Sequence, residues 1–344
     1  MKARAMAVRN IGLVTSLGLN APSTCAALRA GLSNAVRGTY SDAAGERLAV
    51  HKVQFERAWK GRACLRKMLG MAILESLIGQ EAIERQRVPL ILCVAEHERA
   101  GRPFGIEDKL FEELQRDLGL KFDLSRSRTV ALGRVGPLVA LNLARQYLNQ
   151  HDAEYVLVAG VDSLLIPATL GALEGQGRLL TANNANGFIA GEGAGAVLFA
   201  RWDGSEGEVI CSGLGEAIER AHLASGQPLR ADGLAAAIRA AVAEASTEIH
   251  NIDFRIADVS GEQYYFKEAS LAIGRLLREH KEEFDLWHPA EGVGEVGAAA
   301  AIVMMGCAWM AFQKRYACGP RALLHAGSDD GHRAAAVFEC SRRL

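Results

Sequence analysis

The stretch Tyr155-Val156-Leu157-Val158-Ala159-Gly160, with Gly187-Phe188-Ile189-Ala190-Gly191-Glu192-Gly193-Ala194-Gly195-Ala196-Val197-Leu198-Phe199-Ala200 further on, decides the fold class. The first piece is a continuous apolar run of strand length. It lacks the polar alternation of a half-exposed strand and therefore reads as a strand buried on both faces. The second reads as a glycine-rich turn leading into an apolar strand over 194–200. Residues 138–148, just upstream, carry apolar positions at helical spacing. Helix followed by doubly buried strand is the grammar of a layered α/β protein.

Working outward, the same grammar covers the chain. Residues 7–14 predict a strand and 22–30 a helix, with Asn20 or Ala21 near its cap and Gly31 as its stop. Leu65, Met68, Leu69, Ala72, Ile73 and Leu77 mark a helix over 63–78, and 89–95 is an apolar run of strand length. After the polar, glycine-bearing segment 203–208 the pattern restarts. It predicts strands near 209–214 and 254–259, helices over 231–246, 266–280 and 297–312, and a strand pair around 322–325 and 334–340. The order suggests an internally duplicated fold with halves 1–202 and 203–344.

Composition narrows the function. A chain of 344 residues, 49% hydrophobic and 23% charged, buries a large core, which argues against disorder as its dominant state. With 39 basic and 40 acidic residues the net charge is −1, so no global field draws nucleic acid or an anionic membrane. Aromatics at 6% leave little for base stacking. The most apolar uncharged run, 297–312, is shorter than the ~20 residues of a membrane span. The segment 10–28 is interrupted by Gly12, Gly18, Asn20 and Pro22, unlike a signal-peptide core, so a mature start is expected. The seven cysteines are odd in number and form no Cys-x-x-Cys pair, so reduced thiols in a cytoplasmic protein are expected, without metal or disulfide. Gly292, Gly294 and Gly297 satisfy G-x-G-x-x-G, but 316–327 holds no acidic residue to grip a ribose, so no nucleotide cofactor is expected.

Three segments carry a resemblance: Ile11-Gly12-Leu13-Val14-Thr15-Ser16-Leu17-Gly18-Leu19-Asn20 with Ala26-Ala27-Leu28-Arg29-Ala30-Gly31; the strand from Asp152 ending in Ala159-Gly160; and the glycine-rich stretch from Gly187 to Ala196. Asp232-Gly233 and Gly297-Ala298-Ala299-Ala300-Ala301 follow in compatible order. Together they resemble the β-ketoacyl-acyl carrier protein synthases. The resemblance implies the thiolase-like α/β fold: five layers, αβαβα, built from two duplicated halves with mixed sheets.

The family uses a cysteine thiolate to take the acyl group and two histidines to support condensation. Matching Gly136 to the glycine after the family's nucleophile places Gly133 at the cysteine position, where a helix N-terminus would have lowered a thiol pKa. The strand 256–259 is followed by Ser260, which stands for the first histidine. Gly294 falls at the second, three residues before the Gly-Ala-Ala helix start, and the family's upstream lysine falls near His288 or Pro289. Asp329, in Ser328-Asp329-Asp330-Gly331-His332-Arg333, takes the place of a gating phenylalanine. By this alignment the whole catalytic set is replaced, and the lean span 95–132 implies a reduced lid over the acyl pocket.

Other residues have competing readings. Tyr264 and Tyr265, within Gln263-Tyr264-Tyr265-Phe266, fill the vacated space or form a partner contact. Arg126, Arg128 and Arg134 bind a phosphate or pantetheine arm, or serve as solvated or dimer-facing residues. His222 and Glu192 read as structural, hydrogen-bonded groups, and Cys93 as a buried thiol with no nucleophilic role. The leading expectation is a bacterial, cytoplasmic pseudoenzyme acting through protein contacts as a structural, adaptor or regulatory subunit. It would be a homodimer, or a heterodimer with an active ketosynthase in fatty-acid or polyketide synthesis, paired through a strand near 128–133, with a carrier protein as a further partner. One alternative is an adaptor for effector loading in type VI secretion. Another is an acyl-thioester hydrolase or acyl transferase using Ser260 or His332.

Overall fold

The computed structural model describes residues 5–80, 83–84, 87–150 and 153–341. In chain order the elements of the first part are β1 (Met6–Val14), α1 (Ala21–Arg29), β2 (Val36–Ser41), β3 (Arg47–His51), α2 (Gly61–Ser76), β4 (Leu90–Cys93), α3 (Lys109–Leu118), β5 (Arg128–Val130), α4 (Gly136–Asn149), β6 (Tyr155–Ser163), α5 (Pro167–Gly175) and β7 (Ala190–Arg201). The rest are β8 (Val209–Ile218), α6 (Asp232–Glu244), β9 (Phe254–Ala257), α7 (Gln263–Leu276), β10 (Leu286–Trp287), α8 (Ala290–Val293), α9 (Ala300–Gln313), β11 (Arg321–Gly327) and β12 (His332–Cys340). Single 3-10 turns, Gly133–Val135 and Gly297–Ala299, lead into α4 and α9.

The strands run in the order β10-β9-β11-β12-β8-β1-β7-β6-β4-β5, with the β2–β3 hairpin attached through β3 to β7. Reading outward from β1, the pairings are antiparallel to β7, antiparallel to β6, then parallel to β4 and β5. Reading outward from β8 they are antiparallel to β12 and β11, then parallel to β9 and β10. Among the described residues the two series are joined in the strand ladder through Met6↔Cys211 and Ala7↔Ile210.

Side chains alternate between faces along each strand, and this alternation separates the layers. Ile91, Val158, Val197 and Phe199 face a central core containing Leu138 and Leu141 of α4 and Met304 and Met305 of α9. Their neighbours Leu90, Leu92, Leu157 and Leu198 face an outer core with Leu65, Met68 and Leu69 of α2 and Leu110 and Leu114 of α3. In the second series Leu323 and Val337 pack outward against Leu234 and Ile238 of α6 and Ala269 and Ala272 of α7, while Leu324 and Phe338 point to the centre. The result is helix, sheet, helix, sheet, helix. Because α9 lies in the middle layer it is buried almost all round, which explains why 297–312 is apolar without a stripe. Among the described residues no helix is long and apolar enough to cross a membrane.

Several boundaries differ from the sequence reading. The expected glycine-rich turn is mostly strand: β7 begins at Ala190 and contains Gly191, Gly193 and Gly195. A Cβ on Gly195 would lie 2.3 Å from the Ile302 side chain of α9, so the glycine answers helix-on-sheet approach and not a turn. The helix expected over 266–280 occupies Gln263–Leu276, its first backbone N–H bonded to Asn186 Oδ1. Asn20 caps α1 by accepting from the Ser23 N–H, and Pro22 lies in its first turn.

Candidate functional site

The chain leaves β5, turns through Gly133 at φ +53° and enters α4. The Gly133 N–H donates to the Val94 carbonyl at 3.1 Å, which pins the turn beside the end of β4. A Cβ at this position would lie 1.8 Å from Glu96 Oε1. The Glu96 carboxylate therefore occupies the space a side chain at 133 would take. Glu96 is paired with Arg99, which also holds Asp162 Oδ2 at 2.6 Å. Asp162 in turn accepts from the Ala298 N–H at 3.0 Å, ahead of α9. This chain of contacts ties the loop after β4 to the end of β6 and the start of α9.

A second ionic cluster lies alongside. The buried Arg134 guanidinium reaches Asp329 Oδ1 at 3.0 Å, Glu295 Oε2 at 3.3 Å and Asp258 Oδ2 at 3.9 Å. Its charged plane lies over the Tyr265 ring, 4.4 Å from the centroid. Arg178 binds Glu262 through two parallel bonds, Nε to Oε1 at 2.9 Å and Nη2 to Oε2 at 2.8 Å, and also binds Asp329. The Tyr265 hydroxyl donates to Asp329. Burial pushes the Glu295 carboxyl up to about 7 against the opposing pull of Arg134, and burial likewise raises Asp258. Asp329 is held well below the usual carboxylate range because its two arginines and Tyr265 outweigh its desolvation.

Arg134, Arg178, Glu295 and Asp329, with Glu96 and Arg99, border a cavity of about 550 Å³ whose remaining wall includes Leu132, Leu164, Leu173 and Phe188. Of the residues assigned to the degenerate site or to ligand contacts from sequence, Arg134 and Asp329 line it, and Gly133 lies in the chain between the lining residues Leu132 and Arg134. Gly294 precedes the lining residue Glu295, but its own Cβ would lie 2.7 Å from the His51 ring. Ser260 does not line the cavity, and its hydroxyl is buried without a hydrogen-bond partner.

The remaining assignments separate. Arg126 pairs with Asp123, Arg128 is exposed and donates to the Ser125 and Ser127 carbonyls, and only Arg134 reaches the cavity, so the three arginines form no common patch. Tyr265 is buried, which removes it from any contact surface, while the half-buried Tyr264 donates to the Ala221 carbonyl and borders a separate open depression. His332 is partly exposed and pairs with Asp330 at 3.0 Å. Glu192 is structural, accepting from Ser163 Oγ and the Val53 N–H. His222 Nδ1 is buried without a partner, contrary to its reading as a hydrogen-bonded group. Burial pushes the Cys93 thiol far up, away from nucleophilic character. Sequence reasoning missed Glu96, Arg99, Arg178 and Glu295, charged residues in segments that no motif marks. It also missed His51, a neutral, buried imidazole with its pKa lowered to about 4.

A family model described as beta-ketoacyl synthase, N-terminal domain, matches residues 136–203. No curated protein sequence matches the chain. Solved structures do. A type II polyketide synthase acyl-carrier protein in complex with its ketosynthase bound to the hexaketide contains a chain that aligns with TM-score 0.80 and 16% identity, covering 98% of this chain and 100% of that one. A ketosynthase in complex with its chain length factor from Xenorhabdus doucetiae aligns with TM-score 0.79 and 14% identity over 98% of each chain. The ishigamide ketosynthase/chain length factor aligns with TM-score 0.77 and 17% identity, over 98% of this chain and 99% of that one. The chain therefore has the thiolase-like fold of the β-ketoacyl synthases over nearly all of its described length, and residues 136–203 match that family in sequence.

Proposed function

We propose that this protein is a non-condensing thiolase-fold subunit that works by pairing with a ketosynthase-like partner, with residues 1–202 and 203–344 as its two halves. The observation that carries the reading is Gly133. At the turn into α4, where an acyl-accepting nucleophile would be presented by the helix N-terminus, the chain has no side chain and places the Glu96 carboxylate instead. The repeated pairing order of the strands supports the two halves. The position of β5 at one end of the strand order, paired among the described residues to β4 alone, supports a strand-to-strand partner contact. Two of the aligned structures are ketosynthases with chain length factors, which favours a heteromeric partner of that kind.

The test combines co-purification with mass spectrometry. A tagged chain co-expressed with ketosynthases from the same source is expected to form a stable complex with one of them. The isolated chain, incubated with acyl-coenzyme A of several lengths, is expected to keep its mass and release no thiol. Absence of a complex with every ketosynthase overturns the partnership. A covalent acyl adduct or steady thiol release overturns the non-condensing role.

A further inference from the structure

The contacts around Asp329 have the form of a receptor and its guest. Arg134, Arg178 and Tyr265 come from the turn before α4, the segment after α5 and the first turn of α7; the side chains of Arg134 and Tyr265 are buried, and that of Arg178 is partly buried. Together they aim four donors at one two-oxygen volume: Arg134 Nη2 and Arg178 Nη2, 3.0 and 3.2 Å from Asp329 Oδ1, Arg178 Nη1 at Oδ2, and the Tyr265 hydroxyl. Arg178 is held in place by its two bonds to Glu262, and Arg134 by Glu295 on one side and the Tyr265 ring on the other. The guest differs. Asp329 lies on the tight turn between β11 and β12, and its side chain is 49% exposed, whereas those of Arg134 and Arg178 are 6% and 11% exposed. It also borders the 550 Å³ cavity.

We propose that Arg134, Arg178 and Tyr265 form a carboxylate-binding site that the protein fills with its own Asp329, a tethered plug that a small aliphatic carboxylate displaces. Planar guanidinium forks match the two oxygens of a carboxylate in geometry as well as charge. The exchange conserves charge, because one anion leaves the arginines as another arrives. It requires only rotation of a short side chain into solvent, not opening of the hairpin. The apolar wall formed by Leu132, Leu164, Leu173 and Phe188 selects a carboxylate with an alkyl tail over formate or phosphate. Since Asp329 is tethered, it competes at a high effective concentration, and the unmodified protein binds free carboxylates weakly. The site does not depend on the pairing reading and is tested on the isolated chain.

The experiment measures butyrate binding by calorimetry and thermal shift, with butyramide as the neutral isostere and sodium chloride as the ionic-strength control. Asp329→Ala is expected to bind butyrate at least tenfold more tightly than the unmodified protein, with butyramide and chloride giving no comparable stabilisation. Adding Arg178→Met to Asp329→Ala is expected to abolish the gain. Asp329→Asn, which keeps the shape of the turn and removes the charge, is measured in parallel in case the alanine variant folds poorly. Butyrate affinity no higher in either variant than in the unmodified protein overturns the proposal. So does equal stabilisation by butyramide, or failure of butyrate to recover both variants if neither folds without it.

Discussion

Glu295 shows how a single residue records the character of the site. Its carboxylate is buried, bonded to the Gly297 N–H at 2.9 Å, and faced by Arg134, Asp258 and Asp329 from three other segments. Desolvation and the two neighbouring acids outweigh Arg134, and its pKa rises to about 7 from the ordinary 4.5. The folded state therefore holds a proton that the unfolded chain has released, and Glu295 contributes stability that is full below about pH 4.5 and lost as pH rises toward 7. Glu295→Gln keeps an acceptor for Gly297 and does not ionise. The variant is expected to remove part of the fall in melting temperature between pH 5 and pH 8, measured by thermal denaturation across that range; an unchanged pH profile would refute the assignment. At this scale the sequence was partly legible. Motif alignment singled out Gly133 and Asp329, because a glycine-bounded turn and a hairpin turn leave local signatures. Glu96, Arg178 and Glu295 left none, since a charged side chain's partners are set by segments distant in sequence.

Among the elements, β5 has the most consequence for its size. It has three residues and lies at the end of the strand order. The Val94 N–H donates to the Val130 carbonyl at 3.0 Å, so the polar groups of Val130 face β4, and by alternation those of Thr129 face away. Thr129→Pro thus removes an outward donor while sparing the β4–β5 ladder. The variant is expected to lose strand-mediated self-association or partner binding in analytical ultracentrifugation while retaining a native circular dichroism spectrum. Retained association would place the contact elsewhere. Longer elements with apolar periodicity, such as α2 and β6, were readable from the chain alone. The β2–β3 hairpin was not: Val36–Ser41 alternates with mostly polar residues, and its pairing comes from β3 docking on β7. α3 was hidden for a related reason, since Leu110 and Leu114 find their apolar environment on α2.

For the whole molecule, stability rests on the central helical layer, where α4 and α9 are packed between the two strand series. Leu141 is fully buried there, and Leu141→Ala is expected to cost about 2–5 kcal/mol by chemical denaturation. Leu74→Ala, on the 47% exposed face of α2, is expected to change stability by less than about 0.5 kcal/mol. Equal losses would refute the placement of α4 between the two strand series. The sequence by itself determined the layered α/β architecture, because apolar period and run length report which faces are buried and need only local information. It also determined that residue 133 has no side chain with which to accept an acyl group. Only the tertiary structure decided what stands in that place. The Glu96 carboxylate against Gly133 and the Asp329 carboxylate between Arg134 and Arg178 arise from the convergence of loops separated by tens to hundreds of residues, and electrostatic complementarity of that kind exists only once the backbone has brought the charges together.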